Sequence, residues 1–248
     1  MSAPAPAGSR IATQAAFELR TLLANGEQLL VSVVLPVLAL VGLAVSSTPA
    51  LGPGRRIDVA VPGVLGLCVI SAAFTSQAIA TGYDRRYAVL RLLGTTPLGR
   101  GGLLAGKALA TLGVEAVQVV VIGGVGLALG WQPVPVGFLY AVPVLLAGTW
   151  AFVALALLLA GTVRAEGVLA LANLLWVLML VLGGVVVPRT ELPPGVGTAV
   201  GWLPSAALGD GLRAAFVSGQ LALGAIGILL VWAIAASAVA ARTFRWSD

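Results

Sequence analysis

The most suggestive chemical group in this sequence is a run of glycines followed by a lysine. Gly101, Gly106 and Lys107 match the first part of the nucleotide-binding pattern G-x-x-x-x-G-K-S/T, in which the backbone and the lysine hold phosphate groups. The next residue, Ala108, lacks the hydroxyl that holds Mg²⁺ in that pattern, and an apolar run follows. Nucleotide binding is therefore not predicted. Close helix packing at the glycines, with Lys107 reaching toward lipid phosphates, is the better interpretation.

Hydrolytic and metal-dependent chemistry have even less support in the sequence. The chain has no histidine and a single cysteine, Cys68, which excludes Ser-His triads, histidine-dependent zinc sites and an intrachain disulfide. The apolar segments contain neither E-E-x-x-R nor G-x-S-x-G. We expect no catalytic residue and no metal site in this chain.

The elements that position these residues must lie in a membrane. The chain is 59% hydrophobic, its mean hydropathy is +1.06, and its apolar runs reach the roughly 20 residues that a helix needs to cross a bilayer. Because lipid offers no hydrogen-bond partners and the runs do not alternate, we predict an all-α membrane protein with six transmembrane helices. The predicted spans are about 29–47, 60–82, 103–130, 138–161, 168–187 and 220–241.

The distribution of positive charge predicts the orientation. Of the fourteen Lys and Arg residues, ten fall on the side of the termini, and four (Arg55, Arg56, Arg189 and Arg213) fall on the other. This bias places both termini in the cytoplasm, and the composition suggests the inner membrane of a bacterium. The net charge of +5 then reflects loops beside anionic lipid, and no nucleic-acid partner is expected.

The N-terminal segment is predicted to form an amphipathic helix. Within residues 9–24, small and apolar residues from Ile11 to Leu23 share one arc of a helical wheel, with Phe17 as the exception. We interpret residues 1–28 as a tail and a helix lying in the membrane surface, and 29–248 as the transmembrane domain. A soluble helix packed on a partner is the alternative.

The segment between spans two and three should form a short helix over 83–94, YDRRYAVLRLLG, which ends before Pro97. Apolar and charged residues alternate around its whole circumference, so lipid alone could not cover it. We expect the protein's own helices on one side and a cytosolic partner on the other, with an ordinary basic loop as the alternative. The residues assigned to this contact are Tyr83, Asp84, Arg85, Arg86, Tyr87, Leu90, Arg91 and Leu93.

The segment 188–218 is too long for a tight loop and too apolar for a solvated one. We predict two short helices that re-enter the membrane from outside, 195–203 and 206–217, separated by Pro204. Ser205 should cap the second helix, which carries Asp210 and Arg213 one turn apart. A connector lying on the membrane surface is the alternative.

Glu115 is the one ionisable residue predicted well inside a span. A charged carboxylate there would be costly, so we expect it to be protonated or paired, with Gln77, Gln118 and Asn173 at suitable depth. These four residues make polar contacts between helices or line a substrate path.

These features together resemble the permease subunit of ABC-2 type ABC transporters, in particular the daunorubicin-resistance-type exporters of drugs and lipids. The resemblance rests on a surface helix, a cytoplasmic helix followed by Pro97 and by Gly106–Lys107, and the long outer segment. It implies that helix 83–94 is the coupling helix of an ABC-2, or type V, exporter. This sequence has Asp84 and basic residues where the family often shows E-R-E-x-G-T. The outer segment then forms gate helices, with Trp202, Pro204, Asp210 and Arg213 as gate residues.

The resemblance also implies partners and a function. Two separate ABC ATPase subunits would bind ATP and Mg²⁺, and a second permease chain, identical or homologous, would complete the complex within membrane lipid; this chain itself would hold no cofactor. Because the predicted spans lack charge ladders and basic clusters, we expect an amphipathic or apolar cargo, a drug or a lipid, exported from the cytoplasm or inner leaflet. A non-transporting membrane scaffold or an intramembrane enzyme is the alternative.

Overall fold

The computed structural model describes residues 5–24, 26–193 and 195–244, without the side chains of 27–31, 94 and 100. Its regular elements are helices. The α-helices are α1 (Ala7–Ala24), α2 (Gly26–Val45), α3 (Arg56–Val69), α4 (Gln77–Arg86), α5 (Val89–Gly94), α6 (Gly99–Ala128), α7 (Gly137–Thr162), α8 (Ala165–Leu182), α9 (Val196–Val200), α10 (Pro204–Ser218) and α11 (Leu223–Thr243). A π-helix (Ile70–Ser76) joins α3 to α4, and a 3₁₀ turn (Arg189–Glu191) precedes α9.

Five helical segments of the described chain are long and apolar enough to cross a membrane. They are Arg56–Arg86, Gly101–Ala128, Gly137–Thr162, Ala165–Leu182 and Leu223–Thr243. Each overlaps one predicted span. The remaining predicted span, 29–47, falls on α2, where the apolar helix over the described side chains is the shorter Ser32–Val45. The described part of the protein is therefore all-helical with multiple apolar helices, and the count of six spans stays a prediction.

α7 lies at the centre of the bundle, packed against α4, α6, α10 and α11. Small residues allow this close packing. A Cβ added at Gly137, for example, would lie 2.4 Å from the carbonyl oxygen of Ala215 on α10. The outer segment is thus packed against the central helix.

The first long segment changes its helical form halfway. α3 is almost entirely buried and continues into the π-helix, from which α4 carries the chain on to Arg86. The indole of Trp176 on α8 donates a hydrogen bond to Ser71 Oγ in the π-helix, at 2.8 Å. π-helices are rare and frequently occur at functional sites.

α1 packs along the first half of α6. A Cβ at Gly106 would lie 2.8 Å from Gln14 Cγ, and a Cβ at Gly113 would lie 2.9 Å from the methyl carbons of Leu19. The prediction that glycines serve close helix packing here is confirmed for Gly106, whereas no heavy atom lies within 4 Å of a Cβ added at Gly101. The contacting face differs from the predicted one, because Gln14 and Glu18, expected on the polar side, are half-buried toward α6.

Candidate functional site

The predicted single helix over 83–94 is wrong, because the structure divides it. α4 ends at Arg86, and Ala88 has a φ of 60°, in the left-handed region, before α5 begins at Val89. The left-handed conformation is unfavourable for a residue with a Cβ, so the packing of neighbouring residues must hold Ala88 in it. The contacts of the neighbouring residues show how.

Arg85 and Arg86 fix the end of α4 to the turn between α7 and α8. The Arg85 guanidinium is buried and donates hydrogen bonds to the carbonyl oxygens of Ala160, at 2.6 Å, and of Val163. These carbonyls belong to the C-terminal end of α7, where the helix dipole favours a cation. Arg86 forms a 2.7 Å ion pair with Glu166 at the start of α8.

The side chains of α5 divide between the interior and the surface. Leu90 is 0% exposed, so the prediction that it faces a partner is wrong; it anchors α5 to the protein's own core. Tyr87 is 70% exposed and Leu92 is 69% exposed, while Leu93 is half-buried. The exposed residues form what we call the α4–α5 surface: Tyr83, Arg86, Tyr87, Val89, Arg91 and Leu92.

An ion cluster lies behind this surface. Lys107 Nζ is 2.9 Å from a carboxylate oxygen of Glu18 on α1 and 3.4 Å from one of Asp84 on α4. Lys107 is 0% exposed, so the predicted extension toward lipid phosphates is wrong. The ammonium group of Lys107 pairs with both carboxylates, so this residue links α1, α4 and α6. The whole G-x-x-x-x-G-K stretch lies within helix α6, so it forms no phosphate-binding loop.

Lys107 begins a polar stripe along the interior face of α6. Thr111, Glu115 and Gln118 follow at intervals of four, four and three residues, which places all four side chains on one face, and all are buried. Gln77 Nε2 on α4 donates to Thr111 Oγ1 at 3.1 Å. Gln118 Nε2 donates to the carbonyl oxygen of Ser32 on α2 at 3.0 Å.

Glu115 receives its hydrogen bond from a residue that was not predicted. Thr149 on α7 donates to Glu115 Oε2 at 2.6 Å. The amide of Gln77 or Gln118 was expected in this role, but each donates elsewhere. Asn173 was also expected, yet it is exposed on α8 and donates to Leu169 of its own helix at 2.9 Å. The structure thus brings Glu115 and Gln118 to one face of α6, places Gln77 of α4 against that face, and leaves Asn173 away from it.

The outer segment is helical, with boundaries that differ from those predicted. α10 begins at Pro204 itself, whose missing N–H and fixed φ suit the first turn of a helix. Ser205 therefore lies within the helix and caps nothing, and Leu203 takes the N-cap position. Trp202 is exposed, and its carbonyl oxygen accepts a 2.9 Å hydrogen bond from the Trp232 indole.

Arg213 ties α10 to the chain that leaves α8. Its guanidinium donates to the carbonyl oxygens of Gly184 and Val185 at 2.7 and 2.8 Å, and pairs with Asp210 at 2.9 Å. Burial lowers the pKa of Arg213, and the hydrogen bond to Asp210 opposes this shift. Arg189, which was not predicted as a gate residue, joins Asp210 at 2.6 Å. An open cleft of about 590 Å³ lies beside these charges.

A model of the ABC-2 type transporter family matches residues 12–217, which is most of the chain. No curated protein matches it. The chain therefore belongs to the ABC-2 type transporter family. It is a permease subunit of an ABC transporter, a multi-pass membrane component. Permeases of this family are not themselves catalytic, and members of the family work with ABC ATPase subunits.

The residues that the sequence analysis missed all act across helices. Thr149, Glu18 and Glu166 meet partners that are distant in sequence, and no local pattern identifies them. The stripe on α6 is different, because the spacing of Lys107, Thr111, Glu115 and Gln118 is visible in the sequence. A helical wheel of this span would have shown one polar face.

Proposed function

We propose that this permease is half of an ATP-driven exporter of an amphipathic or apolar molecule, a drug or a lipid. It would pair with a second permease chain, identical or homologous, in the inner membrane of a bacterium. Two ATPase subunits would hold ATP and Mg²⁺. The termini and the α4–α5 surface would face the cytoplasm, and α9 and α10 would face outward. Within its family, the chain would belong to the daunorubicin-resistance-type exporters.

The observation that carries this proposal is the α4–α5 surface. Tyr87 and Leu92 are large side chains left exposed beyond the end of an apolar span, beside the basic residues Arg86 and Arg91. The Tyr83 and Tyr87 rings stack with their centroids 6.2 Å apart, which stiffens the surface. Exposed apolar groups rimmed by charge are typical of a docking site. An ATPase subunit is the partner that fits a chain of this family.

The helices behind the surface offer a path for motion. α3, the π-helix and α4 are continuous, so a displacement of the C-terminal end of α4 is transmitted to the membrane core. The Asp84–Lys107 ion pair transmits the same displacement to α6, and the Lys107–Glu18 ion pair transmits it to α1. We infer that ATP-driven closure of the ATPase subunits moves these helices together.

The cargo class is supported by a second cleft. A cleft of about 180 Å³ lies between the start of α6, α7 and α11, with Leu103, Leu104, Leu157 and Phe244 in its wall. Its one side-chain hydroxyl, Ser237 Oγ, already accepts a hydrogen bond from Trp150 at 3.1 Å. An apolar wall selects an apolar group. Cargo would enter here from the inner leaflet and leave past α9 and α10, where Trp202, Pro204, Asp210 and Arg213 would act as the gate.

The contrast between Leu92 and Leu90 tests the coupling assignment. Tyr87→Asp with Leu92→Asp should leave membrane insertion and thermal stability unchanged, because both side chains are exposed. Co-purification of the ATPase subunit should fall at least tenfold, since a carboxylate would be buried without a partner in the interface. Leu90→Asp should instead destabilise the permease itself.

Thr190→Asp with Thr198→Asp is the matched control, because it adds the same two charges at exposed residues of the outer segment. It should leave the complex intact. Full ATPase binding by the Tyr87/Leu92 variant would contradict the assignment. The experiment also tests the orientation, since a cytosolic ATPase reaches this surface only if residues 83–98 lie in the cytoplasm.

A further inference from the structure

The polar stripe on α6 contains a carboxylate whose charge has no evident partner. Glu115 is 3% exposed, and its contact is the neutral hydroxyl of Thr149. Lys107, two turns away on the same face, already lies between Glu18 and Asp84. A buried carboxylate held only by a neutral donor is costly in a membrane.

Several buried hydrogen-bond acceptors around this carboxylate lack a donor from the side chains of the stripe. Among the described residues, the buried oxygens Glu115 Oε1, Gln77 Oε1 and Gln118 Oε1 have no hydrogen-bond partner. The donors of the same side chains are engaged, since Gln77 donates to Thr111 and Gln118 donates to Ser32. The imbalance calls for an additional O–H or N–H group.

A small cavity, with a mostly apolar wall and a few hydroxyls, adjoins the stripe beside the π-helix. Its volume is about 30 Å³, and it is lined by the hydroxyl-bearing residues Ser32, Ser71, Ser76 and Thr111. Val114, the neighbour of Glu115, also lines it. A space of this volume has room for one water-sized species and excludes a drug or a lipid.

Among the described side chains, the ionisable groups around Glu115 do not supply a cation. From α3, the Cys68 thiol lies within electrostatic reach of the carboxylate. From α1 and α4, Glu18 and Asp84 add negative charge near Lys107. In the parts of the π-helix and α7 that pack on α6, the described residues bring hydroxyls and apolar groups.

We propose that Glu115 is a proton-binding site. The bound proton neutralises the carboxylate and supplies the missing O–H donor. Loss of this proton leaves a charge between α6 and α7, so alkaline pH loosens this contact. The permease is therefore pH-sensitive at a point remote from its ATPase.

The test compares thermal unfolding of the purified full chain with that of Glu115→Gln, in detergent, from acid to alkaline pH. The folded state binds the proton more tightly than the unfolded state, so the stability that the proton contributes is lost as pH rises. The wild-type Tm should fall by about 2–4 °C or more relative to that of the variant. Glu166→Gln, at an exposed carboxylate, is the control and should follow the wild type.

A measurement on the wild type keeps the test decisive if Glu115→Gln fails to fold. Dicyclohexylcarbodiimide reacts with protonated carboxyl groups in apolar surroundings, and mass spectrometry locates the adduct. Labelling of Glu115 should decline at least tenfold from acid to alkaline pH. Parallel Tm curves for the wild type and Glu115→Gln, labelling independent of pH, or a dependence on Na⁺ in place of pH would each overturn the proposal.

Discussion

At the residue scale, Lys107 shows how burial changes the role of a charge. A single lysine at the end of an apolar span predicts a side chain that extends to lipid headgroups. In the structure Lys107 is enclosed between Glu18 and Asp84, which come from helices far away in the sequence. Its ammonium group therefore holds three helices together.

Lys107→Met tests this role. The substitution keeps an unbranched side chain and removes the charge, which leaves two carboxylates facing each other in a largely buried place. Breaking a buried ion pair by removing one partner costs about 3–5 kcal/mol, so the free energy of unfolding should fall by that order. Chemical or thermal unfolding in detergent measures the loss.

Arg91→Met is the control for Lys107→Met, because Arg91 is exposed and the same charge is lost. Its effect should stay near zero. The triple change Lys107→Met, Glu18→Gln, Asp84→Asn should recover much of the stability, since it removes the unpaired charges as well. Equal stability of the two single variants would contradict the role of Lys107.

Local spacing predicted some of these residues correctly and failed for others. The pairing of Asp210 with Arg213 follows from their separation by three positions, about one turn, on one helix, and the structure confirms it. The exposure of Leu90 and the partner of Glu115 depend on how helices pack, which no local pattern carries. The sequence therefore predicts which residues are unusual more reliably than what they contact.

At the element scale, the long apolar helices were predictable because length and hydropathy are local properties. The places where these helices are interrupted or change their form were not predictable. The division of segment 83–94 at Ala88 accompanies the hydrogen bonds of Arg85 to Ala160 and Val163. No feature of the amino-acid composition predicts the π-helix. The contact face of α1 also differs from the apolar arc, because Glu18 turns toward Lys107.

Glycines on α6 test the packing of α1. Gly113→Leu places a side chain where Leu19 of α1 already lies, so α1 must shift. Overpacking of this kind costs about 1–3 kcal/mol, which for a chain of this size lowers Tm by at least about 2–4 °C. Gly124→Leu on the same helix is the control, since no heavy atom lies within 4 Å of a Cβ there. Equal Tm values for the two variants would show that α1 does not pack as described.

At the scale of the whole molecule, many exposed side chains are apolar, whereas those of a soluble protein are mostly polar and charged. Large apolar side chains are exposed along α6, α7, α8 and α11, among them Val120, Leu139, Val181 and Val231. Lipid and a second permease chain would cover such faces. The charged contacts concentrate at the two ends of the bundle, at Lys107 and Arg85 on one side and at Arg189 and Arg213 on the other.

ATP-driven transport by the complete complex tests the central claim most directly. The permease and its ATPase are reconstituted in inside-out vesicles, and ATP is added outside with lipids, hydrophobic drugs or polar glycans. Lipids or drugs should stimulate ATP hydrolysis and accumulate inside the vesicles, because the cleft between α6, α7 and α11 has an apolar wall. Stimulation and accumulation with the glycans alone would contradict the account.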